Sequence, residues 1–203
     1  MAYVKHGEGD PILLLHGERT WSYLYRDMIP PLAQDGHVIA PDLIGFGPSD
    51  KPAAANAYTY KSHVRWLRGF IQALNLERIT MVYQDWGGSL GLRVLSQMSE
   101  RFARQVAMNT GVRDGTAAMV FPRLMPIRPD AAGAYDNRVA IERLKTLDLP
   151  VLLLSADDDP ITARAEARLR QIFKNVAPKI VVQEDAGEEV AGHILKWNFL
   201  EME

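Results

Sequence analysis

Residues 79–88 read ITMVYQDWGG, and their order is the strongest indication of how the chain folds. The apolar run at 79–83 is short, which is typical of a strand buried on both faces of a parallel sheet. Asp85 follows at once, and Gly87 and Gly88 open the helical pattern that comes next. A strand, a sharp turn that exposes one side chain, and a helix opened by glycines form a nucleophile elbow. The stretch therefore predicts a parallel sheet with an exposed carboxylate at its carboxyl edge.

Similar short apolar runs recur along the chain, and helical patterns separate them. Strands alternating with helices, with crossovers long enough for parallel pairing, predict a doubly wound, mostly parallel α/β sheet. The predicted strands are 12–15, 38–40, 79–83, 105–108, 151–154 and 180–182, and residues 2–4 look like the end of an early strand. The helical stripes are Val64, Leu67, Ile71 and Leu74; Leu90, Val94 and Met98; Ala140, Leu144 and Leu147; Ala165, Leu169 and Ile172; and Val190, Ile194 and Trp197.

The composition and net charge of the chain exclude several classes of function. The chain has 203 residues, of which 47% are hydrophobic and 24% charged, so we expect one globular domain over residues 1–203. Its formal net charge of -2 offers no basic field for nucleic acid. It contains no cysteine, which excludes thiol nucleophiles and zinc–thiolate sites. With no secretory signal pattern and no membrane-spanning run, we expect a cytoplasmic protein.

One segment breaks the alternation of strand and helix. Residues 111–135 contain several glycines and prolines and show no sustained period. Connections longer than about 12–15 residues inside a compact domain are usually functional insertions or flexible segments. The segment is therefore predicted to be a long connection.

Ligands of an open parallel sheet bind at the carboxyl ends of its strands, so the loops after the apolar runs are the candidate site. Asp85 is either the nucleophile of the elbow or a helix N-cap, since aspartate is favoured at both places. Trp86 is either a site residue or core filling. Asp159, in the loop after the fifth apolar run and before Pro160, lies where an Asp-Pro pair commonly starts a helix. His16, at the end of a strand, is interpreted as organising its loop rather than as a base.

Several longer motifs occur in one order along the chain: HGE at 16–18 with TWSYLYR at 20–26, APDLIGFG at 40–47 with SDKP at 49–52, QDWGG at 84–88, RFAR at 101–104, and NTG at 109–111. In this order they resemble the haloalkane dehalogenases of the α/β-hydrolase superfamily. The resemblance is close over 10–111, resumes over 121–162 and returns at 183–189. It implies an α/β-hydrolase core.

The resemblance also implies a two-step hydrolysis. Asp85 would displace halide from a small apolar halogenated substrate and leave an alkyl ester on the enzyme. Trp86 would donate its indole N–H to the halide, and the backbone N–H groups of Glu18 and Trp86 would form the oxyanion hole. Asp159 would orient a histidine that activates water. No metal or organic cofactor is implied.

The chain departs from the family at two places. The family carries its catalytic histidine on a glycine-rich turn after the last strand, whereas residues 179–185 read KIVVQED and hold none. The family also inserts several cap helices after the strand that ends near Asn109, but here only 112–120 separate the two recognisable blocks. We therefore expect a truncated cap junction at 112–135 and a cap that is largely absent.

Three hypotheses follow from these motifs. The first is a haloalkane-dehalogenase-like hydrolase that forms the alkyl ester but lacks the base for turnover. The second is a noncatalytic or truncated α/β-hydrolase-like protein. The third is an epoxide hydrolase, which shares the aspartate nucleophile but needs acidic donors from the cap.

Overall fold

A mostly parallel sheet forms the centre of the molecule. The computed structural model describes residues 1–18, 20–111, 131–155, 163–178, 180–181 and 186–200. For 131–135, 163–165 and 198–200 it describes the backbone only. Within these residues the sheet has seven strands in the order β1-β3-β2-β4-β5-β6-β7. The strands are β1 (Tyr3–His6), β2 (Pro11–Leu15), β3 (His37–Pro41), β4 (Ile79–Gln84), β5 (Phe102–Met108), β6 (Val151–Ser155) and β7 (Ile180–Val181). β1 pairs antiparallel with β3, and every other pairing is parallel.

Helices cover both faces of this sheet. They are α1 (Ile29–Leu32), α2 (Tyr60–Ala73), α3 (Trp86–Leu95), α4 (Ala131–Leu144), α5 (Ala163–Ile172) and α6 (Gly187–Leu200). One core cluster joins α2, α3, α4 and α5 to one face of the sheet, and a second joins α1 and α6 to the other. Successive strand residues alternate between the clusters: Leu13 and Leu15 belong to the first, and Ile12 and Leu14 to the second. The predicted doubly wound α/β fold is confirmed.

The short apolar runs identify the strands because the central strands are buried on both faces. All five residues of β2 are buried, and so are the first five of β4. β5 begins at Phe102, earlier than the predicted start at 105, because the charged residue Arg104 separates its first two residues from the predicted run. The early strand expected at residues 2–4 is present as β1.

Three helix boundaries differ from the predictions. Residues 111–135 were expected to form one irregular connection, but α4 already begins at Ala131. The alanine-rich start of α4 favours a helix although it contains Gly133. α3 and α4 end before Met98 and Leu147, which nevertheless pack on the core beyond the helix ends. Most of the cap junction expected at 112–135, namely residues 112–130, lies outside the described residues.

Two prolines hid α1 from sequence analysis. This helix reads Ile-Pro-Pro-Leu, and prolines usually interrupt helices. They are tolerated here because they lie in the first turn, where the backbone N–H groups have no partner within the helix. No helix in the described part of the chain is long and apolar enough to cross a bilayer.

Candidate active site

The register of the sheet brings two candidate loops together. The chain passes from β2 to β3 on one side and then crosses to β4 on the other, so the strand order reverses between β2 and β4, the place where open α/β sheets bind ligands. Leu15 pairs with Tyr83 near the ends of these strands. The loop at 16–18 therefore lies beside the elbow at Asp85.

The elbow holds Asp85 in a strained backbone conformation. Its φ is 47° and its ψ is −121°, a region that residues with a side chain rarely adopt and that costs about 1–3 kcal/mol. The end of β5 supports this turn. The Thr110 hydroxyl donates to the Asp85 carbonyl at 2.7 Å, and the Asp85 N–H makes a long hydrogen bond of 3.4 Å to the Asn109 carbonyl. The surrounding strands thus impose a conformation that turns the carboxylate out of the helix.

The Asp85 side chain does not cap α3, so the N-cap interpretation is wrong. Its Oδ1 instead accepts a hydrogen bond from the Glu18 N–H at 3.0 Å. No hydrogen bond to Oδ2 is present within the described residues, and the side chain is half-buried. One carboxylate oxygen is therefore held by the neighbouring loop while the other remains available.

Two glycines allow the loops to approach this closely. A Cβ added to Gly17 would lie 2.4 Å from both the Cβ and the Oδ1 of Asp85. A Cβ added to Gly87 would lie 2.1 Å from the Leu15 carbonyl oxygen. Any side chain at either position would collide with the opposing loop or strand.

His16 organises its loop, as predicted. The ring is fully buried, and its Nε2 accepts a hydrogen bond from the Leu43 N–H at 2.9 Å. Its Nδ1 lies 2.7 Å from the Gly17 carbonyl oxygen. Burial lowers the pKa of His16, although its hydrogen bond to Gly17 and the charges of Asp42 and Asp85 act in the opposite direction. Because both ring nitrogens are engaged, His16 is not a base for water.

The other four histidines lie elsewhere. His6 ends β1 beside the start of β3, and His37 begins β3, so both lie at the amino edge of the parallel sheet. His63 is buried on α2 with its ring centroid 5.0 Å from that of Trp66. His193 lies on α6 with its Nε2 3.6 Å from a Glu189 carboxylate oxygen. Asp159 and residues 183–185 lie outside the described residues.

Trp86 begins α3 directly behind the elbow. Its side chain is only 2% exposed, and its ring centroid lies 6.3 Å from that of Tyr60. The Tyr60 hydroxyl donates to the Ser89 carbonyl at 2.6 Å, which fixes α2 against α3. The tryptophan is thus a packed residue beside Asp85, and its halide-binding role stays a prediction.

Sequence reasoning missed two residues that brace the site. The Tyr25 hydroxyl donates to the Leu15 carbonyl at 2.8 Å, and its pKa is raised first by burial and then by the charge of Asp85. Asp42 is buried, and its Oδ1 accepts a hydrogen bond from the Ser22 N–H at 2.8 Å. Both lie in the motifs at 20–26 and 40–47, but a motif does not reveal which atoms meet.

A mostly parallel sheet with a sharp, positive-φ turn between a central strand and the helix that follows it is typical of the α/β-hydrolase class. In agreement, residues 10–135 match the family model described as alpha/beta hydrolase fold. Haloalkane dehalogenase 1 of Mycobacterium tuberculosis is 36% identical to this chain over a 249-residue alignment that covers 92% of this chain and 83% of that protein. The haloalkane dehalogenase of Psychrobacter cryohalolentis is 36% identical, with 91% of this chain and 82% of that protein covered. The chain belongs to the haloalkane dehalogenase family.

A solved structure supports the same assignment. The haloalkane dehalogenase of Paraglaciecola agarilytica has a TM-score of 0.83 and 28% identity, with 96% of this chain and 86% of that chain covered. The alignment with the Mycobacterium tuberculosis protein is longer, at 249 positions, than this whole chain of 203 residues. That relative therefore carries inserted residues that have no counterpart here.

Proposed function

We propose that this chain is a haloalkane-dehalogenase-like hydrolase in which Asp85 displaces halide from a small haloalkane and then stays esterified. The observation that carries the proposal is the placement of the Asp85 carboxylate. The elbow turns it away from α3, and the Glu18 N–H holds Oδ1 at 3.0 Å. Oδ2 is then the oxygen that attacks.

The first step needs only residues that the chain possesses. Oδ2 of Asp85 forms a bond to the halogen-bearing carbon, and the carbon–halogen bond breaks with both electrons going to the halide. The product on the protein is a neutral alkyl ester. In the proposal the Trp86 indole N–H donates to the departing halide, because an indole is a donor only and suits an anion in an apolar site.

The second step needs an activated water. In the proposal the N–H groups of Glu18 and Trp86 stabilise the oxyanion that forms when water attacks the ester. Asp159 would orient the base that deprotonates this water, but the base is missing. This part of the proposal rests on the sequence at 179–185 and on the positions of the five histidines, of which His16 has both nitrogens engaged.

A reduced cap belongs to the same proposal. We place a truncated cap junction at 112–135 in an otherwise single domain, supported by the inserted residues of the Mycobacterium tuberculosis relative. A smaller cap would leave the site open to water, which weakens electrostatic stabilisation of the reacting charges. Slow ester formation is therefore expected.

Intact-protein mass spectrometry after incubation with 1-bromohexane tests the proposal. The expected result is a gain of one hexyl group that persists for hours, with halide released only once per protein. Asp85→Asn is the matched control because an amide keeps the acceptor for Glu18 and cannot attack. Added imidazole should shorten the lifetime of the adduct, since it replaces the missing base.

Three results would count against this scheme. An unmodified mass at long times refutes the nucleophile and supports the noncatalytic alternative. Halide release over many turnovers refutes the missing base. Adduct formation from Trp86→Phe at the parental rate refutes the halide-binding role of Trp86, because phenylalanine fills most of the same space but has no N–H.

A further inference from the structure

The peptide unit between Gly17 and Glu18 is held at both of its polar ends. Its carbonyl oxygen lies 2.7 Å from Nδ1 of His16, and its N–H donates to Oδ1 of Asp85 at 3.0 Å. The C=O and N–H of a trans peptide point in opposite directions. Fixing the oxygen on the histidine side therefore aims the N–H at the carboxylate.

The direction of the histidine hydrogen bond follows from its other partner. The Leu43 N–H can only donate, and it lies 2.9 Å from Nε2 of His16, so Nε2 carries no proton. A neutral ring then carries its proton on Nδ1 and donates it to the Gly17 carbonyl. Phe46 packs edge-on against the ring with centroids 5.4 Å apart, which further restricts its rotation.

We propose that His16 is a positioning residue that orients the Gly17–Glu18 peptide so that its N–H holds the Asp85 nucleophile. Its catalytic consequence rests on the proposed function, whereas its effect on the peptide does not. Without the Nδ1 donor the peptide is free to rotate, and the Glu18 N–H then leaves Oδ1. The hydrogen bond accepted by the carbonyl also polarises the N–H of the same peptide and strengthens it as a donor.

Two substitutions separate the two hydrogen bonds of the ring. In His16→Asn the amide nitrogen takes the place of Nδ1, so the donor to the Gly17 carbonyl is kept and the acceptor for Leu43 is lost. In His16→Gln the longer side chain reaches the place of Nε2, so the acceptor is kept and the donor is lost. Ile71→Val, a buried substitution on α2 outside the site loops, controls for general destabilisation.

Amide hydrogen exchange of Glu18, measured by NMR in the full chain, reports the hydrogen bond to Asp85. Relative to the amides of β4 in the same variant, Glu18 should exchange about 5- to 10-fold faster in His16→Gln than in His16→Asn. Ester formation with 1-bromohexane should be about 10- to 100-fold slower in His16→Gln, while His16→Asn stays near the parental rate. Ring 15N chemical shifts of the parent should report a neutral ring protonated at Nδ1.

The outcomes distinguish this inference from the proposed function. Equal Glu18 exchange in the two histidine variants, or a ring protonated at Nε2, overturns the positioning role even if the ester forms. If the parent forms no ester but Glu18 exchange differs as expected, the proposed function fails and the positioning of the peptide stands. If Ile71→Val changes Glu18 exchange as much as His16→Gln does, the effect is general loosening and the inference is wrong.

Discussion

Gly17→Ala should damage the site more than its single methyl group suggests. The added Cβ would lie 2.4 Å from the Cβ and Oδ1 of Asp85 and 2.8 Å from its Cγ, whereas ordinary contact begins at 3.4 Å. The two loops must therefore separate by about 1 Å, and a misplacement of this size costs about 100-fold in rate. Overpacking of this kind also lowers the free energy of unfolding by about 1–3 kcal/mol.

The measurement pairs urea unfolding with the rate of hexyl ester formation. Gly69→Ala is the matched control because a Cβ there has nothing within 4 Å and lies within α2. It should raise the free energy of unfolding by about 0.5–1 kcal/mol through helix propensity alone. If Gly17→Ala is as stable as Gly69→Ala and forms the ester at the parental rate, the close approach described here is wrong.

Two further predictions concern buried groups. Tyr83→Phe removes the hydroxyl that donates to Gln105 Oε1 at 2.8 Å and leaves a buried amide oxygen unpaired, at a cost of about 1–3 kcal/mol. Measured by urea unfolding, the double variant Tyr83→Phe/Gln105→Leu should lose less free energy of unfolding than Tyr83→Phe alone. Equal losses in the two variants would contradict this reasoning. Burial places the pKa of His16 in the folded chain below its ordinary 6.5. As the pH falls, His16 is therefore protonated in the unfolded chain before it is protonated in the folded chain. The free energy of unfolding should fall below pH 6.5 by up to about 1.4 kcal/mol per pH unit, and His16→Asn should lack this component. Identical pH profiles of the two proteins would refute it.

The strands were predictable from sequence because burial on both faces leaves an unbroken apolar run. β2 and β4 show this most clearly, and their predicted bounds agree with the structure to within one residue. α1 could not be found in this way because its two prolines imitate a loop. The start of α4 was missed because alanine and glycine carry no amphipathic period that would distinguish a helix from a connection.

The sequence identifies candidate site residues but not the geometry in which they meet. The order strand, Asp85, glycines identifies the elbow, yet it leaves helix capping open. The structure shows that the Asp85 side chain does not cap α3, through the positive φ of Asp85 and its hydrogen bond to Glu18, 67 residues away. Likewise, the role of His16 depends on Leu43, which is 27 residues further along the chain. Predicting which loops of different strands touch requires the register of the sheet, and a single sequence does not contain that register.

The hydrogen bond from Thr110 to the Asp85 carbonyl affects how much the length of the connection after β5 can vary. The connection that follows leaves from a point tied to the Asp85 carbonyl and ends at α4, which Arg93 joins to α3 through Asp136 at 2.8 Å. Both anchors are set by the core, so a change in the length of this connection mainly alters the entropy of closing a loop. Each doubling of loop length costs only about 0.6 kcal/mol. The elbow can therefore keep its shape while connections of very different length join the same two points.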